Sequence, residues 1–503
     1  MSDPSAIQLP IHQALTSDMM LGLKPSAPKS RSYRISVPPM NGSTFKEMNQ
    51  MIFELPTGRR GTWLDQSQSY LKFSVQVLGP AAAVAANVAT CGVYCENTAY
   101  SFFQRLDIYN SSNLLETINE YGQLANFLID TSLTQSDKAG LSTMIGSNNI
   151  LNINTPITAG QLAGAANIAP VGIEVQRPGD RSGQGLAAGA NAGGFAGCIP
   201  YTFCLPVMSG VVGCLSSKML PVGKLNAPIR CEFYTSANDD AIYYGLGAAA
   251  GVTWQICNAE FVVCYVELQD DSLDIPLAPG EQEYISTTTY RQASTILPAG
   301  STGEITQLIP IRCASLTALY CRFRPYVSNA QGVQATCAYR KSCSINPNLN
   351  SFYFRIGSSM YPNKPIYLLN GSNVGTGSEA FAELLKSFHA LTSTSGNTTL
   401  SYQQYNVIQT VNGTTQGWAL AAPLNINSAV AVGTHFNAFA IGLELQSFSN
   451  RSDSILSGIS TLNSQVYFTG TIGTAVAVQT TIEFFSQLDM ILVLSDGILS
   501  AKF

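Results

Sequence analysis

The feature that most limits the fold is a change of period that occurs once in each half of the chain. Residues 103–109, FQRLDIY, alternate as a strand does, with Phe103 and Gln104 on opposite faces and Leu106, Asp107 and Ile108 continuing the pattern. From Leu114 the apolar positions fall instead at Leu114, Ile118, Tyr121, Leu124, Ala125 and Leu128, the spacing of one helical face. Asn113 with Glu116 three residues on predicts the helix start: a side-chain oxygen accepts an orphan N–H, and a carboxylate sits at the positive end. The second change comes at SEAFAELLKSFHAL, residues 378–391. There Phe381, Leu384, Leu385 and Phe388 share a face and Ser378 is the expected N-cap.

Around these two helices the chain reads as strands. In the first half they are RSYRISV, MIFELP, SYLKFSVQV, PIRCEFYT and EFVVCYVEL; in SYLKFSVQV, Leu71, Phe73, Val75 and Val77 alternate with Lys72, Ser74 and Gln76. The second half offers ITQLIPIRC, SLTALYCRFRPY, NSFYFRIG, FNAFAIGLELQSF, TLNSQVYFTG, QTTIEFFSQ and DMILVLSDG. Between them run long Gly/Ala-rich loops at 79–90, 158–170 and 183–200, of the kind that serve as functional or contact surfaces. A charged, proline-containing stretch, QDDSLDIPLAPGEQE, interrupts the strands at 269–283 and marks a domain boundary. The two helix starts, Asn113 and Ser378, are 265 residues apart, about half the chain, so the plan is a large internal repeat. Antiparallel strands joined by long crossing loops favour Greek-key sandwiches. The expected fold is therefore all-β: two eight-stranded antiparallel jelly-roll sandwiches in tandem, each with a short flanking α-helix. The divisions are an extended, proline-containing N-terminal arm at 1–30, a first jelly roll at 31–272 and a second at 273–503.

Composition narrows the function. The chain is 46% hydrophobic but 11% charged, against the roughly 25% usual in soluble domains, so its surface is largely uncharged or covered by partners. Its net charge is −5, and its densest basic stretch, Lys24, Lys29, Arg31 and Arg34, is spread out. Condensing nucleic acid needs a concentrated basic arm or stripe, and none is present. Twelve cysteines are scattered from Cys91 to Cys343 without a zinc spacing, and those inside strands, such as Cys264 and Cys321, are expected as buried thiols. The N-terminal residues do not read as a secretory signal and no apolar run is long enough to span a membrane. The protein is then expected to fold in the cytosol or nucleus, and the six sequons at Asn41, Asn110, Asn370, Asn397, Asn412 and Asn450 to be accidents of composition.

Catalytic constellations are not found. The three histidines, His12, His389 and His435, are too dispersed for the ligand cluster of a cupin-type metal site. There is no GxSxG elbow and no phosphate-cradling glycine loop. The carboxylate pairs Asp239–Asp240 and Asp270–Asp271 sit among turn-formers and read as solvated loops. No residue is assigned as catalytic, cofactor-binding or metal-binding, and no cofactor is expected.

Residues 33–78, YRISVPPMNGSTFKEMNQMIFELPTGRRGTWLDQSQSYLKFSVQVL, resemble the opening of double jelly-roll major capsid proteins of eukaryotic double-stranded DNA viruses. The helix after FFQRLDIY, YPNKPI at 361–366, SGIST at 457–461 and the closing LDMILVLSDGILSAKF also resemble the hexon-like capsid proteins of Polinton-like viruses and adintoviruses, and more distantly those of virophages and nucleocytoplasmic large DNA viruses. The resemblance implies a non-enzymatic structural protein of the virion. Three subunits would form a pseudo-hexagonal capsomer tiling an icosahedral shell, with neighbouring capsomers, penton and minor or cement proteins as partners and an internal membrane beneath the shell as a further option. Sequence-specific nucleic-acid binding is not implied. Residues 1–30 would run along the inner face, and the loops at 79–90 and 183–200 would form the crown or trimer contacts. Other readings of the same residues are a sugar-binding β-sandwich adhesin or lectin, a hydrolase using Asp239, Asp240, Asp270 or Asp271, and a single jelly-roll capsid protein with a protruding domain.

Overall fold

The computed structural model describes residues 28–78, 98–133, 135–146, 201–216, 218–244, 253–269, 280–325, 349–368, 377–388, 439–447, 456–473 and 479–503, with a few short pieces between them. The arm at 1–27, the loops at 79–90, 158–170 and 183–200, and the boundary stretch 270–279 lie outside the described residues. So do all three histidines, Asp270 and Asp271.

The strands of the first half are β1 (Ser30–Val37), β2 (Gln50–Leu55), β3 (Thr62–Leu78), β4 (Phe103–Asn110), β5 (Asn113–Asn119), β6 (Tyr201–Pro206), β7 (Ile229–Thr235) and β8 (Thr253–Leu268). Those of the second are β9 (Gln282–Leu297), β10 (Gly303–Ile309), β11 (Leu316–Pro325), β12 (Leu349–Ile356), β13 (Ser359–Tyr367), β14 (Ala440–Glu444), β15 (Val466–Ile472) and β16 (Thr480–Ser495). A final strand β17 (Ile498–Lys502) folds back on β16. The first half forms two sheets, β1-β8-β3-β6 and β2-β7-β4-β5, and the second forms β9-β16-β11-β14 and β10-β15-β12-β13. Adding eight to every strand number of the first pair gives the second, so the two halves are the same antiparallel jelly roll.

Each sandwich is held by an aromatic core between its sheets. Phe73 meets Phe103 edge-on at 5.1 Å and Phe53 meets Phe233 at 6.0 Å in the first; Phe354 and Phe484 approach Phe468 at 5.5 and 5.8 Å in the second. In β3, Leu71, Phe73 and Val75 are buried as their alternation predicts. A short strap is also repeated: Leu220 bridges Leu64 of β3, and Ile459, within SGIST, bridges Leu316 of the equivalent β11. The stretches QTTIEFFSQ and DMILVLSDG, which read as two strands, are one continuous strand, because β16 pairs with β9 along its whole length from Leu297–Thr480 to Gln282–Ser495.

Both helices form, but the first begins later than its periodicity predicts. Asn113–Asn119 is strand β5, returning antiparallel to β4 through a tight turn in which Ser111 takes φ 55°. A bulge after Ile108 disturbs the strand alternation, leaving Leu114 exposed while Leu115, Glu116 and Ile118 are buried. That irregularity imitated a helical spacing. The helix α1 is Tyr121–Ser132, entered through Glu120 in the left-handed region at φ 48°. A second short helix, α2 (Gln135–Ile145), follows. The helix of the second half, α3 (Ser378–Ser387), has Gly377 at its cap position and Ser378 inside it, so Ser378 is not the N-cap. Phe388 ends it, and 389–391 lie outside the described residues.

α1 also differs in how it is used. An end-closing helix needs one apolar face, yet ten of its twelve residues are buried. One side lies on the 3₁₀ turn Ala99–Phe102 and β4 of its own sandwich; the other carries Phe127 into the second sandwich. Glycine permits the first contact, since a Cβ on Gly122 would stand 2.5 Å from the Tyr100 carbonyl oxygen. Gly442 of β14 plays the same part under α3, where a Cβ would meet Leu384 Cδ1 at 2.8 Å and Ser387 Oγ at 2.5 Å. Gly122→Ala is therefore expected to lower stability by about 1–3 kcal/mol through overpacking, read as a fall in Tm, with a smaller fall for Ala125→Gly.

Candidate functional site: the junction between the sandwiches and the outer sheet faces

No group of three or more His, Cys, Asp or Glu able to hold a metal occurs among the described residues. Asp240 lies in a single helical turn, Asn238–Ala241, where it senses Glu120 and Arg324. Cys204, Cys214, Cys231, Cys257, Cys264, Cys313 and Cys321 carry free thiols, and Cys95, Cys231, Cys264, Cys313 and Cys321 are buried. No helix among the described residues is long and apolar enough to cross a membrane. The built polar chemistry instead gathers where the two sandwiches meet.

Three sets of contacts form that junction. In the first, α1 docks on the sheet β9-β16-β11-β14. Phe127 stacks on Phe485 at 5.7 Å and 15°, with Tyr320 at 5.5 Å and Phe388 at 5.9 Å around it. Beside it the buried Arg322 donates from Nε and Nη2 to Glu483 Oε2 at 2.9 and 2.6 Å, and from Nη2 to Gln123 Oε1 of α1 at 2.8 Å. Arg324 reaches the other oxygen of Glu483 at 2.9 Å. Burial pushes the Glu483 carboxyl up, but Arg322 and Arg324 outweigh it and hold the group below the ordinary carboxylate range. Glu120, at the start of α1, is raised by burial and by Glu483 nearby.

The second set centres on Glu116 of β5. Ser209 Oγ donates to its Oε2; Gly210 N–H and Thr289 Oγ1 of β9 donate to its Oε1 at 3.1 and 2.5 Å. Thr287 of β9 donates to the Gly210 carbonyl at 2.8 Å. Burial raises the Glu116 carboxyl, and the hydrogen bonds from Ser209, Thr289, Gly210 and Val211 offset only part of that. Read as the third residue of a helix, Glu116 is instead an interior strand residue joining both sandwiches. The third set ties β17 down. Leu499 N–H donates to Asn110 Oδ1 at 2.9 Å, Asn113 Nδ2 to the Leu499 carbonyl at 3.0 Å, and Asn226 N–H to Gly497 at 2.9 Å. Asn110 Nδ2 also donates to the Ala227 carbonyl at 2.9 Å, so the amide of that sequon is buried and engaged.

The outer faces of the sheets β2-β7-β4-β5 and β10-β15-β12-β13 carry a second repeated device. Arg105 on β4 lies over Tyr234 on β7 at 5.3 Å, and Arg355 on β12 lies over Tyr467 on β15 at 4.7 Å. The strands are equivalent and both pairs are direct cross-strand partners. Their surroundings diverge. Arg105 pairs with the buried Asp107, and Arg230 with Glu232 at 2.8 Å, so the first face neutralises itself. On the second, Arg355 has no carboxylate partner among the described residues, and Leu308 and Met360 flank the pair in the same cross-strand row, with exposed Tyr367 further along the sheet. Composition had signalled a surface poor in charge, but not these pairings.

No family model and no curated protein sequence matches the chain. Solved structures do. A chain of the PBCV-1 virus capsid matches with TM-score 0.55 at 11% identity over 96% of this chain and 99% of that one. The mavirus major capsid protein matches with TM-score 0.51 at 11% identity over 100% and 96%, and the Faustovirus major capsid protein with TM-score 0.55 at 10% identity over 98% and 95%. At such identities the likeness is one of fold, and it spans whole chains: this protein has the double jelly-roll major capsid protein fold.

Glu483→Gln is expected to take its carboxylate from the buried Arg322, while half-buried Arg324 keeps Glu120 and Asp240 nearby, and to destabilise by about 3–5 kcal/mol, measured as a lower urea midpoint at neutral pH. Because the folded state depresses this carboxyl, its contribution is present above the unfolded value of about 4.3 and is lost as pH falls through the folded value. Wild type should therefore lose stability on acidification more steeply than the Gln variant.

Proposed function

We propose that the chain is a structural major capsid protein, without enzymatic activity, of a double-stranded DNA virus. It assembles as pseudo-hexagonal homotrimers that tile an icosahedral shell in the virion. The observation that carries this reading is the pair of sandwiches with one strand order, locked into a single body by a shared helix. Three such bodies present six similar sandwiches, and a ring of three closes only when unlike faces meet head to tail. Divergence of the two outer faces supports such directional contact, and the likeness in fold to capsid proteins along their whole length supports the class.

On this reading the jelly rolls span 31–272 and 273–503, and the arm 1–30 reaches neighbouring capsomers along the inner face. Penton and minor or cement proteins complete the shell, and an internal membrane beneath it is a further option. The order of YPNKPI, SGIST and LDMILVLSDGILSAKF favours the Polinton-like and adintovirus branch. No site is assigned for a catalytic group, cofactor or metal, and assembly takes place in the host cytoplasm or nucleus.

The purified full chain should run in light scattering at three times the chain mass, and negative-stain images should show six-sided particles. A monodisperse monomer without such particles would sink the proposal.

A further inference from the structure

Glu116 stands out because it is buried without an ion-pair contact among the described residues. It is about 1% exposed, it sits between the sandwiches, and among the described residues no lysine or arginine nitrogen is in salt-bridge contact with it. Arg291 of β9, on the facing strand, attracts it from beyond ion-pair distance, and its guanidinium lies over the Phe503 ring at 4.5 Å. The other titratable groups that sense it are Tyr121 of α1 and Cys231 of β7, both neutral when protonated. Every group that touches its oxygens is a donor, and these come from both sides: Ser209 and Gly210 from the first sandwich, Thr289 from the second.

We propose that Glu116 is a proton-linked clasp between the two jelly rolls, closed more firmly when its carboxyl is neutral and loosened when it ionises. The physical reason is the difference in hydration between the two states of the junction. When the sandwiches are closed, an ionised Glu116 is cut off from water without an ion-pair partner; when they part, water reaches it. The neutral acid escapes that cost. Protonation also keeps the bond across the junction. Ser209 Oγ already accepts from Val211 N–H at 3.0 Å and Val212 N–H at 3.2 Å, so it is poorly placed to accept another proton. Thr289 is not so engaged, and its hydroxyl can rotate from donor to acceptor. The proton taken from solvent then sits on Oε1 and is donated to Thr289 Oγ1. Thr287 to the Gly210 carbonyl has no titratable member and holds in both states. The raised affinity of the buried carboxyl for a proton agrees with this direction, since a closed state that binds a proton more tightly is favoured as pH falls.

The clasp is independent of what the particle encloses and goes beyond the capsid reading. It makes the angle between sandwiches firmer in acid, opposite in sign to the Glu483 contact one strand away.

Hydrogen exchange on the full-length protein, corrected for the intrinsic pH dependence of exchange, tests it. Peptides covering 207–214 and 286–291 should gain protection, by at most about tenfold per pH unit, as the pH falls from neutral toward the ordinary carboxylate value of about 4.3, and Glu116→Gln should abolish most of that change. The Gln variant should show at the higher pH the protection wild type reaches at the lower one. Thr289→Val, which keeps the shape but removes the hydroxyl, should weaken protection at both. Protection that does not change with pH in wild type would overturn the proposal without any variant. A Gln variant with the wild-type slope would overturn it as well, by assigning the titration to another group such as Glu120.

Discussion

The arrangement rests on one helix buried on two sides. α1 cannot be a surface helix of the first sandwich, because Phe127 would then expose a full aromatic face, which costs about 2–3 kcal/mol relative to burial. It inserts that ring between Phe485, Tyr320 and Phe388 instead. Burial on both sides forces the polar residues of α1 to find partners, and they do. Gln123 accepts from Arg322, and Asn126 donates to Ser101 Oγ at 2.9 Å. A helix built this way turns two domains into one body, since neither sandwich can leave without exposing it.

Apolar contact alone would let the sandwiches slide over each other, because stacked rings have a broad energy minimum. The polar contacts fix the angle. Arg322 binds Glu483 through two nitrogens while touching Gln123, and Glu116 binds both sides within one side chain. Such buried groups add little net stability over well-packed hydrophobic residues, and their effect is to make every other register worse by leaving a charge or donor unpaired. Burial pushes both junction acids up, yet they end up shifted in opposite directions, because Glu483 has two guanidinium partners in ion-pair contact and Glu116 has none among the described residues.

Much of this is legible in the sequence. Alternation in β3 identified its buried face, with Leu71, Phe73 and Val75 inside, and the half-chain repeat identified two sandwiches. What misled was local. The bulge at Ile108–Tyr109 made a strand look helical, and Glu116 then looked like a helix-end carboxylate. Its true role depends on Ser209 and Thr289, 93 and 173 residues away, which no local period encodes. The Arg105–Tyr234 and Arg355–Tyr467 pairs were illegible for the same reason: a charged residue on an alternating strand says which face it occupies, not what stands beside it. The equivalence of the two pairs appears only once both sandwiches share one strand numbering.

The scarcity of charge then has a structural explanation. A chain with 11% charged residues has few to place, and it puts Asp107, Glu232, Glu116, Arg322 and Glu483 in buried positions, where each settles a neighbour's geometry. Its exposed second outer face keeps Arg355 over Tyr467 beside Leu308 and Met360. Around this pair the surface is apolar, with the cation held over a ring, so contact with another protein surface there removes apolar area. The first outer face instead has its carboxylates already paired to Arg105 and Arg230. Two sandwiches of one topology therefore present unlike surfaces, and any contact that joined one outer face to the other would have a direction that two identical surfaces lack.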